Sequence, residues 1–363
     1  MHLMAAYAKH ATRVRKCLVG SSAGQFEIVD NVDIPTTLAP DMMLCKVAAI
    51  ALNPADAKIS DFSPAPGSIV GFDFAGEVVR VGSGVKRFEL GDRVFCVAWG
   101  QNPADKTMGC FSEYALAKED HSCKIPNWMS FEQASTFGVA VATVGCSISC
   151  YLDLPLPDTP LTETKSCVVL VSGGATATGV VATQFLHLAG LSPIVTCSPP
   201  NTALLKSLGA VETFDYHSPA CGMEINHYTK GNLAHVLDCI STAETMSMCY
   251  EAIGTSGGRY VALDPISTHV KYSRRDVLAD WIVAVTVFGA PVKFGGVYGR
   301  PVMPRHRALA SRLFVMVERL VEQGLLKAPP FKVRSGGLEA VATGIDDVRK
   351  GRVKGGKLVY SLP

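Results

Sequence analysis

The chain has no Cys-x-x-Cys pair, no run of basic residues, and no apolar stretch of the roughly 18 to 20 residues that a membrane span requires. Its twelve cysteines lie scattered from Cys17 to Cys249. Several fall inside apolar strands (Cys45, Cys96, Cys167, Cys239), so buried reduced thiols are expected rather than a disulfide framework or a zinc cluster. With a formal net charge of +2, nothing concentrates positive potential toward a nucleic acid or an anionic membrane, and neither is expected as a partner. The start, Met1-His-Leu-Met-Ala, lacks the charged and then hydrophobic segments of a signal peptide, which makes a cytoplasmic protein the expectation. Internal repeats and low-complexity segments are also absent.

What the chain does have is bulk: 363 residues, of which 48% are hydrophobic and 18% charged, enough for two well-filled domains. Its most telling stretch is Ser166-Cys-Val-Val-Leu-Val-Ser-Gly-Gly-Ala-Thr-Ala-Thr-Gly179, a strand of β-branched residues that stops at paired glycines and turns into a helix. Glycines recur at such turns because a phosphate must approach the amides of a helix start with no side chain in the way. The G-x-G-x-x-G fingerprint is imperfect, with Gly174 and Gly179 at the first and third positions and Thr176 at the second. A plain packing turn remains open on the glycines alone; the strand before and the helix after are the context a dinucleotide requires.

Residues 1–137 read as short strands (44–52, 76–81, 92–98, 112–117) punctuated by Gly, Pro and Asp, which suggests a β-rich, barrel-like domain. A helix is expected from Phe131, capped by Ser130, through small residues to Tyr151. After the connector Leu154-Pro-Leu-Pro-Asp-Thr-Pro160, strands (167–171, 193–197, 235–239, 259–263) alternate with helices (179–188, 202–208, 243–253). That order implies an α/β unit, a doubly wound parallel sheet of Rossmann type. Beyond Tyr298-Gly-Arg-Pro301 a helix over 308–323 and strands near 331–333 and 357–360 return the chain to the first domain. The expected division is residues 1–150 and 303–363 for the β-rich domain, and 151–302 for the dinucleotide domain.

An NAD site usually carries an acid about 20 residues beyond the glycine turn, on the ribose 2′-OH. Here Thr196-Cys-Ser-Pro-Pro-Asn201 occupies that place. With no carboxylate to repel a 2′-phosphate, Ser198 and Asn201 can donate to it and Lys206 or Tyr216 can reach it, so NADPH is expected over NADH. A simple capped loop before the next helix accounts for Ser198 equally well.

Together Val47-Ala-Ala-Ile-Ala-Leu-Asn-Pro-Ala-Asp-Ala-Lys58, Gly71-Phe-Asp-Phe-Ala-Gly-Glu-Val-Val-Arg-Val-Gly82, Gly91-Asp-Arg-Val94, Leu237-Asp-Cys239 and Gly356-Lys-Leu-Val359 resemble the medium-chain dehydrogenase/reductase superfamily along nearly the whole chain. The resemblance implies a β-rich GroES-like catalytic domain beside the Rossmann domain. Zinc enzymes of that superfamily place Cys and His ligands where this chain has Asn53 and Phe72, and a catalytic zinc needs about three side-chain ligands. The chain therefore resembles the zinc-free branch, and no metal is expected. Within it, residues 53–58, the 154–157 connector, 196–199, Phe214-Asp-Tyr216, 237–240 and 298–301 are most similar to fungal trans-acting enoyl reductases of polyketide biosynthesis, of the lovastatin enoyl reductase type.

That likeness implies a function and a site. The enzyme would use NADPH to reduce the α,β-double bond of intermediates on a highly reducing polyketide synthase, or a polyketide synthase–peptide synthetase hybrid, presented by its acyl-carrier domain; a monomer is expected. Lys58 and Thr143 would be catalytic. Ala55, Asp56, Ala57 and Lys58 would lie against the cofactor, with Ala175, Thr176, Ala177 and Thr178 at the pyrophosphate. Ser198, Pro199, Pro200, Asn201 and Tyr216 would meet the adenosine phosphate, Leu263 and Asp264 the nicotinamide side, and Val353 and Lys354 the cofactor from the C-terminal segment. The acyl wall would comprise Thr143, Val144, Gly145, Cys146, Ser147, Ile148, Ser149 and Cys150, continued by Ala284, Val285, Thr286, Val287 and Phe288. Ordinary alternatives stand beside these roles: a surface lysine for Lys58, a hydroxyl bonded one turn back for Thr143, plain core for 284–288. Cys146 and Cys150, one turn apart, read as apolar packing or a redox pair, and His121, His187 and His217 as surface or satisfied histidines.

Two other functions fit the sequence. One is a stand-alone NADPH quinone or enone reductase on small diffusible substrates; the other is an NADPH-binding scaffold without catalysis.

Overall fold

The computed structural model describes residues 14–160 and 167–363. The amino-terminal segment 1–13 and residues 161–166, including Ser166 at the head of the glycine-turn stretch, lie outside the described residues.

The amino-terminal half contributes a hairpin of β1 (Val14–Ser22) and β2 (Gln25–Asp33), then β3 (Met42–Ala51), helix α1 (Pro54–Phe62), β4 (Asp73–Val81), β5 (Arg93–Val97), β6 (Tyr114–Lys118) and β7 (Ser122–Lys124). Two short helices follow, α2 (Phe131–Ala134) and α3 (Gly138–Cys146), the second running into a π-helical turn over Ser147–Tyr151. β1 and β2 pair with each other in a sheet of their own, while β3 to β7 form a seven-stranded sheet with two strands that arrive from the far end of the chain, β14 (Phe331–Val333) and β15 (Lys357–Ser361), in the order β14-β15-β3-β4-β5-β7, with β6 also on β3.

Between these parts lie β8 (Val168–Ser172), α4 (Ala177–Leu188), β9 (Ser192–Cys197), α5 (Thr202–Ser207), β10 (Glu212–Asp215), α6 (Cys221–Tyr228), β11 (His235–Asp238), α7 (Ala243–Ala252), β12 (Gly258–Ala262), α8 (Thr268–Ser273) and β13 (Val277–Trp281). The six strands pair in parallel in the order β10-β9-β8-β11-β12-β13. That is the Rossmann order, and its direction reverses between β8 and β11, where such sheets open a ligand crevice. The turn after β8 therefore stands at the crevice for topological reasons. Helix α9 (Pro304–Glu322) then packs across α3, and α10 (Val341–Arg349) packs on α1.

One hydrophobic cluster runs from Phe95 and Phe137 on the first side through α3 to Val171, Phe185 and Val195 on the second. Burying a large apolar side chain contributes about 1.5–3 kcal/mol, so a core that crosses the junction holds the two sheets in fixed register around the crevice.

The expected single helix over 131–151 is instead broken. The Ser135 and Thr136 hydroxyls fold back onto the Glu132 and Gln133 carbonyls at 2.9 and 2.7 Å, offering the backbone an alternative to the helix ladder. A new helix then starts at Gly138, where a Cβ would meet both Asp73 Oδ1 and the Cys96 carbonyl oxygen at 2.5 Å. The run Phe131–Tyr151 is also long and apolar enough, at a mean hydropathy of 1.4, to pass as a span, contrary to the sequence reading; 78% of its apolar window is buried inside the protein. It is core. Helix α9 starts at Pro304 rather than 308, because proline suits the first helical position.

Candidate active site

A cavity of ≈ 1050 Å³ lies between the two sheets. On the Rossmann side its floor is the glycine turn. Gly173 takes a positive φ of 76°, and its amide donates to Thr196 Oγ1 at 2.9 Å. Thr176 closes the turn: its hydroxyl donates to the Gly173 carbonyl at 2.8 Å and accepts from the Gly179 amide at 3.0 Å. A Cβ at Gly179 would lie 2.4 Å from the Gly173 carbonyl oxygen, so only glycine lets α4 start this close to β8. The threonine at the middle position of the fingerprint thus replaces a glycine with a helix cap, and the turn still fits a dinucleotide pyrophosphate.

The opposite wall is built on α1 and α3, and a single buried carboxylate fixes both. Asp73, at the start of β4 and fully buried, accepts from Asn53 Nδ2 at 2.9 Å and from the Val139 amide at 2.6 Å. Asn53 precedes α1, whose Lys58 faces the cavity; Val139 is in the first turn of α3, whose Thr143 does the same. A carboxylate at a helix N-terminus is favoured by the exposed amides and the helix dipole. Its charge is met by the Lys357 ammonium, which pairs with Asp73 and also donates to the Thr136 carbonyl at 3.3 Å.

A second acid sits next to this pair. Asp56 accepts from the Asn53 amide at 2.6 Å through Oδ2, while its Oδ1 is buried without a partner. Burial pushes its carboxyl up to about 8. At neutral pH a mostly neutral Asp56 therefore adds no second full charge beside the Asp73–Lys357 ion pair. The donor set here is Asn53, Asp73 and Lys357, with apolar Phe72 beside it. An ammonium already serves Asp73, and the soft ligands of a catalytic zinc are not among these residues.

Across the cavity Lys58 forms an ion pair with Asp264, which follows β12. This contact joins the two walls at the mouth of the crevice. Thr143 is buried on the cavity wall; its hydroxyl makes no return bond to the preceding turn among the described residues, whereas Thr183 bonds back to the Gly179 carbonyl at 2.8 Å.

Of the residues singled out from sequence, Lys58, Thr143, Ala55, Ala175, Thr176, Ala177, Thr178, Ser198, Asn201, Tyr216, Leu263, Asp264, Val353, Lys354, Ala284 and Val285 line this one cavity. Asp56 and Ala57 face the core behind α1, and Pro199 and Pro200 are exposed beyond the lining. The stretch from Val144 to Cys150 does not line the cavity either: Val144, Cys146, Ser147 and Ile148 are fully buried, and Gly145 packs on Leu313 of α9. Thr286, Val287 and Phe288 turn away likewise, with Phe288 stacked 4.3 Å from the His121 ring. His121 is no surface residue; its Nε2 meets the Val287 carbonyl at 3.0 Å, its Nδ1 has no partner, and burial lowers its pKa to about 4. His187 is exposed, and exposed His217 pairs with Asp215 at 2.6 Å. Lys206 is held by Glu212 at 3.0 Å rather than at the cavity.

Sequence reading missed the aromatic side of the cavity. Trp281 and Tyr298 line it edge to face at 5.5 Å, Phe62 stacks on Tyr298 at 6.0 Å, and the Arg300 guanidinium lies 3.9 Å from the Trp281 ring centroid. The Tyr-Gly-Arg-Pro motif at 298–301 was the available signal. The lining is thus polar at the glycine turn and apolar toward Trp281, Phe294 and Tyr298.

Comparison with known proteins agrees with this arrangement. Residues 39–127 match the alcohol dehydrogenase GroES-like domain. The chain is 50% identical to a trans-enoyl reductase of Gibberella fujikuroi over 96% of this chain and 99% of that one. It is 49% identical to the trans-enoyl reductase grgB of a Penicillium species, over 96% and 98%. Among solved structures it shares its fold with the CurK enoyl reductase (TM-score 0.75, 21% identity, covering 96% of this chain and 99% of that one). The same holds for Escherichia coli quinone oxidoreductase complexed with NADPH (TM-score 0.69, 17% identity, covering 96% and 99%).

Two expectations follow from the buried charges. Asp73→Asn removes the charge that Lys357 neutralises and is expected to cost about 3–5 kcal/mol, read as a lowered urea midpoint; a loss below about 1 kcal/mol would mean the pair does not organise the wall. Because the Asp56 carboxyl is raised in the folded state, its contribution to stability is complete below pH 4 and is lost as pH rises toward 8. Asp56→Asn lacks this titration, so its stability relative to the natural protein is expected to grow between pH 5 and 8, by up to about 1.4 kcal/mol per pH unit. Parallel pH profiles of the two proteins would refute the assignment.

Proposed function

The chain belongs to the trans-enoyl reductases, and we propose that it uses NADPH to reduce the α,β-double bond of polyketide intermediates carried by a partner synthase. The observation that carries this reading is convergence: a phosphate turn, an ammonium (Lys58) and an unengaged hydroxyl (Thr143) meet in one cavity whose far side is aromatic and apolar. Such a lining suits an acyl chain, and the polar end suits a dinucleotide.

The residues that would hold the cofactor are Ala175 to Thr178 at the pyrophosphate, Ser198, Asn201 and Tyr216 at the adenosine ribose, and Leu263, Asp264, Val353 and Lys354 along the nicotinamide half. Asn201 Nδ2 donates to Ser198 Oγ at 2.9 Å, which turns the hydroxyl proton outward for a 2′-phosphate, and no carboxylate occupies 196–201. That supports NADPH over NADH. When bound, the nicotinamide supplies the hydride.

The protein's own part is positioning and proton supply. Lys58, steadied by Asp264, donates hydrogen bonds at the nicotinamide side of the cavity and holds a proton there. Thr143 donates to the thioester carbonyl, fixing the enone and stabilising the oxygen on which negative charge develops. A highly reducing synthase, alone or fused to a peptide synthetase, would present the substrate on its acyl-carrier domain to a monomeric reductase. The twelve free thiols suit the reducing cytoplasm.

Lys58→Ala is expected to lower kcat/KM for an enoyl thioester about 100-fold, and Thr143→Val about 10-fold, with urea midpoints close to that of the natural protein. Wild-type turnover in both variants would remove these residues from the site. NADPH binding with no turnover of any enone by the natural protein would indicate a scaffold instead.

A further inference from the structure

Behind the cavity wall, three side chains that reduction does not use come together. Cys146 ends α3, Cys150 lies one turn on within the π-helical segment, and His306 enters from the first turn of α9. One ligand atom from each lies within 4.8 Å of the others. Ligand atoms around a tetrahedral zinc, with bonds of roughly 2.0–2.3 Å, stand about 3.5–3.8 Å apart. The cluster therefore needs to contract by about 1.0–1.3 Å at most.

The tautomer of His306 also suits ligation. The Thr286 hydroxyl donates to the Val283 carbonyl at 2.7 Å, so at its 2.6 Å contact with His306 it must accept from Nδ1–H. That fixes the tautomer with the lone pair on Nε2, and supplies the outer-sphere partner that metal-bound histidines typically have. Cys146 and His306 are buried, while Cys150 is half-buried, which leaves the cluster open to solvent on the Cys150 side. Two sulfurs and one imidazole nitrogen are soft and borderline donors, the set chosen by thiophilic ions rather than by magnesium or calcium.

We propose that Cys146, Cys150 and His306 form a zinc(II) site distinct from the reaction cavity. On ligation two zinc–sulfur bonds and one zinc–nitrogen bond form, the two thiol protons pass to the solvent, and no electrons are transferred. The site joins the C-terminal end of the helix that carries Thr143 to the start of α9. Through Thr286 and Val283 it also reaches the segment whose Ala284 and Val285 line the cavity.

The test uses the full chain, stripped with chelator and titrated with zinc(II), and in parallel with cobalt(II) as a spectroscopic substitute. One zinc per chain is expected to survive desalting, and cobalt is expected to give a near-ultraviolet thiolate charge-transfer band with the visible bands of tetrahedral coordination. Cys150→Ser and His306→Gln should each weaken zinc binding by about 10–100-fold, whereas Cys167→Ser should not. Absence of the cobalt bands in the natural protein overturns the proposal without recourse to any variant. So does unchanged affinity in both ligand variants, or loss of binding in Cys167→Ser, whose thiol lies 3.7 Å from His235 Nδ1.

Discussion

The buried pair of Asp73 and Lys357 is the constraint on which the reaction side of the molecule depends. It ties β4 to β15, residues 284 positions apart in the chain, and so attaches the returning C-terminal segment to the domain begun by the amino-terminal half. More consequentially, the same carboxylate holds Asn53 and the Val139 amide, so the helices that carry Lys58 and Thr143 are set from one point. A buried ion pair is a poor source of net stability, because desolvation offsets most of its attraction. Its value here is geometric.

The second constraint is the glycine turn, which is placed by topology rather than by charge. Parallel strands that fan out from β8 leave a crevice at its carboxyl end, and Gly179 lets the helix dipole and its amides approach that crevice. The two constraints face each other across one cavity, bridged at its mouth by Lys58 and Asp264. Neither wall has a complete chemistry alone.

Much of this was legible in the sequence because β-branched runs bounded by Gly and Pro, alternating with helical stretches, mark the central strands of a parallel sheet. The β1–β2 hairpin was not, since β2 alternates only between exposed and half-buried positions and carries no strong apolar period; β10, half-buried throughout, was missed for the same reason. The face of α3 was the harder problem. In an almost wholly apolar helix, periodicity cannot distinguish the residue that lines a cavity, Thr143, from Val144 to Ile148, which pack into the core. The Asp73–Lys357 pair was invisible for a different reason: nothing local links two residues at opposite ends of a chain. Sequence likeness named the missing zinc ligands at Asn53 and Phe72, but only the structure shows an ammonium serving the Asp73 carboxylate that Asn53 contacts.

Reduction of enoyl thioesters by NADPH in this cavity is tested most directly by following NADPH oxidation with α,β-unsaturated pantetheine thioesters of graded chain length beside simple quinones, with NADH as the cofactor control. The expected result is turnover of the thioesters that improves with acyl length, preference for NADPH, and weak activity on quinones. Rapid quinone reduction with no thioester turnover would contradict it.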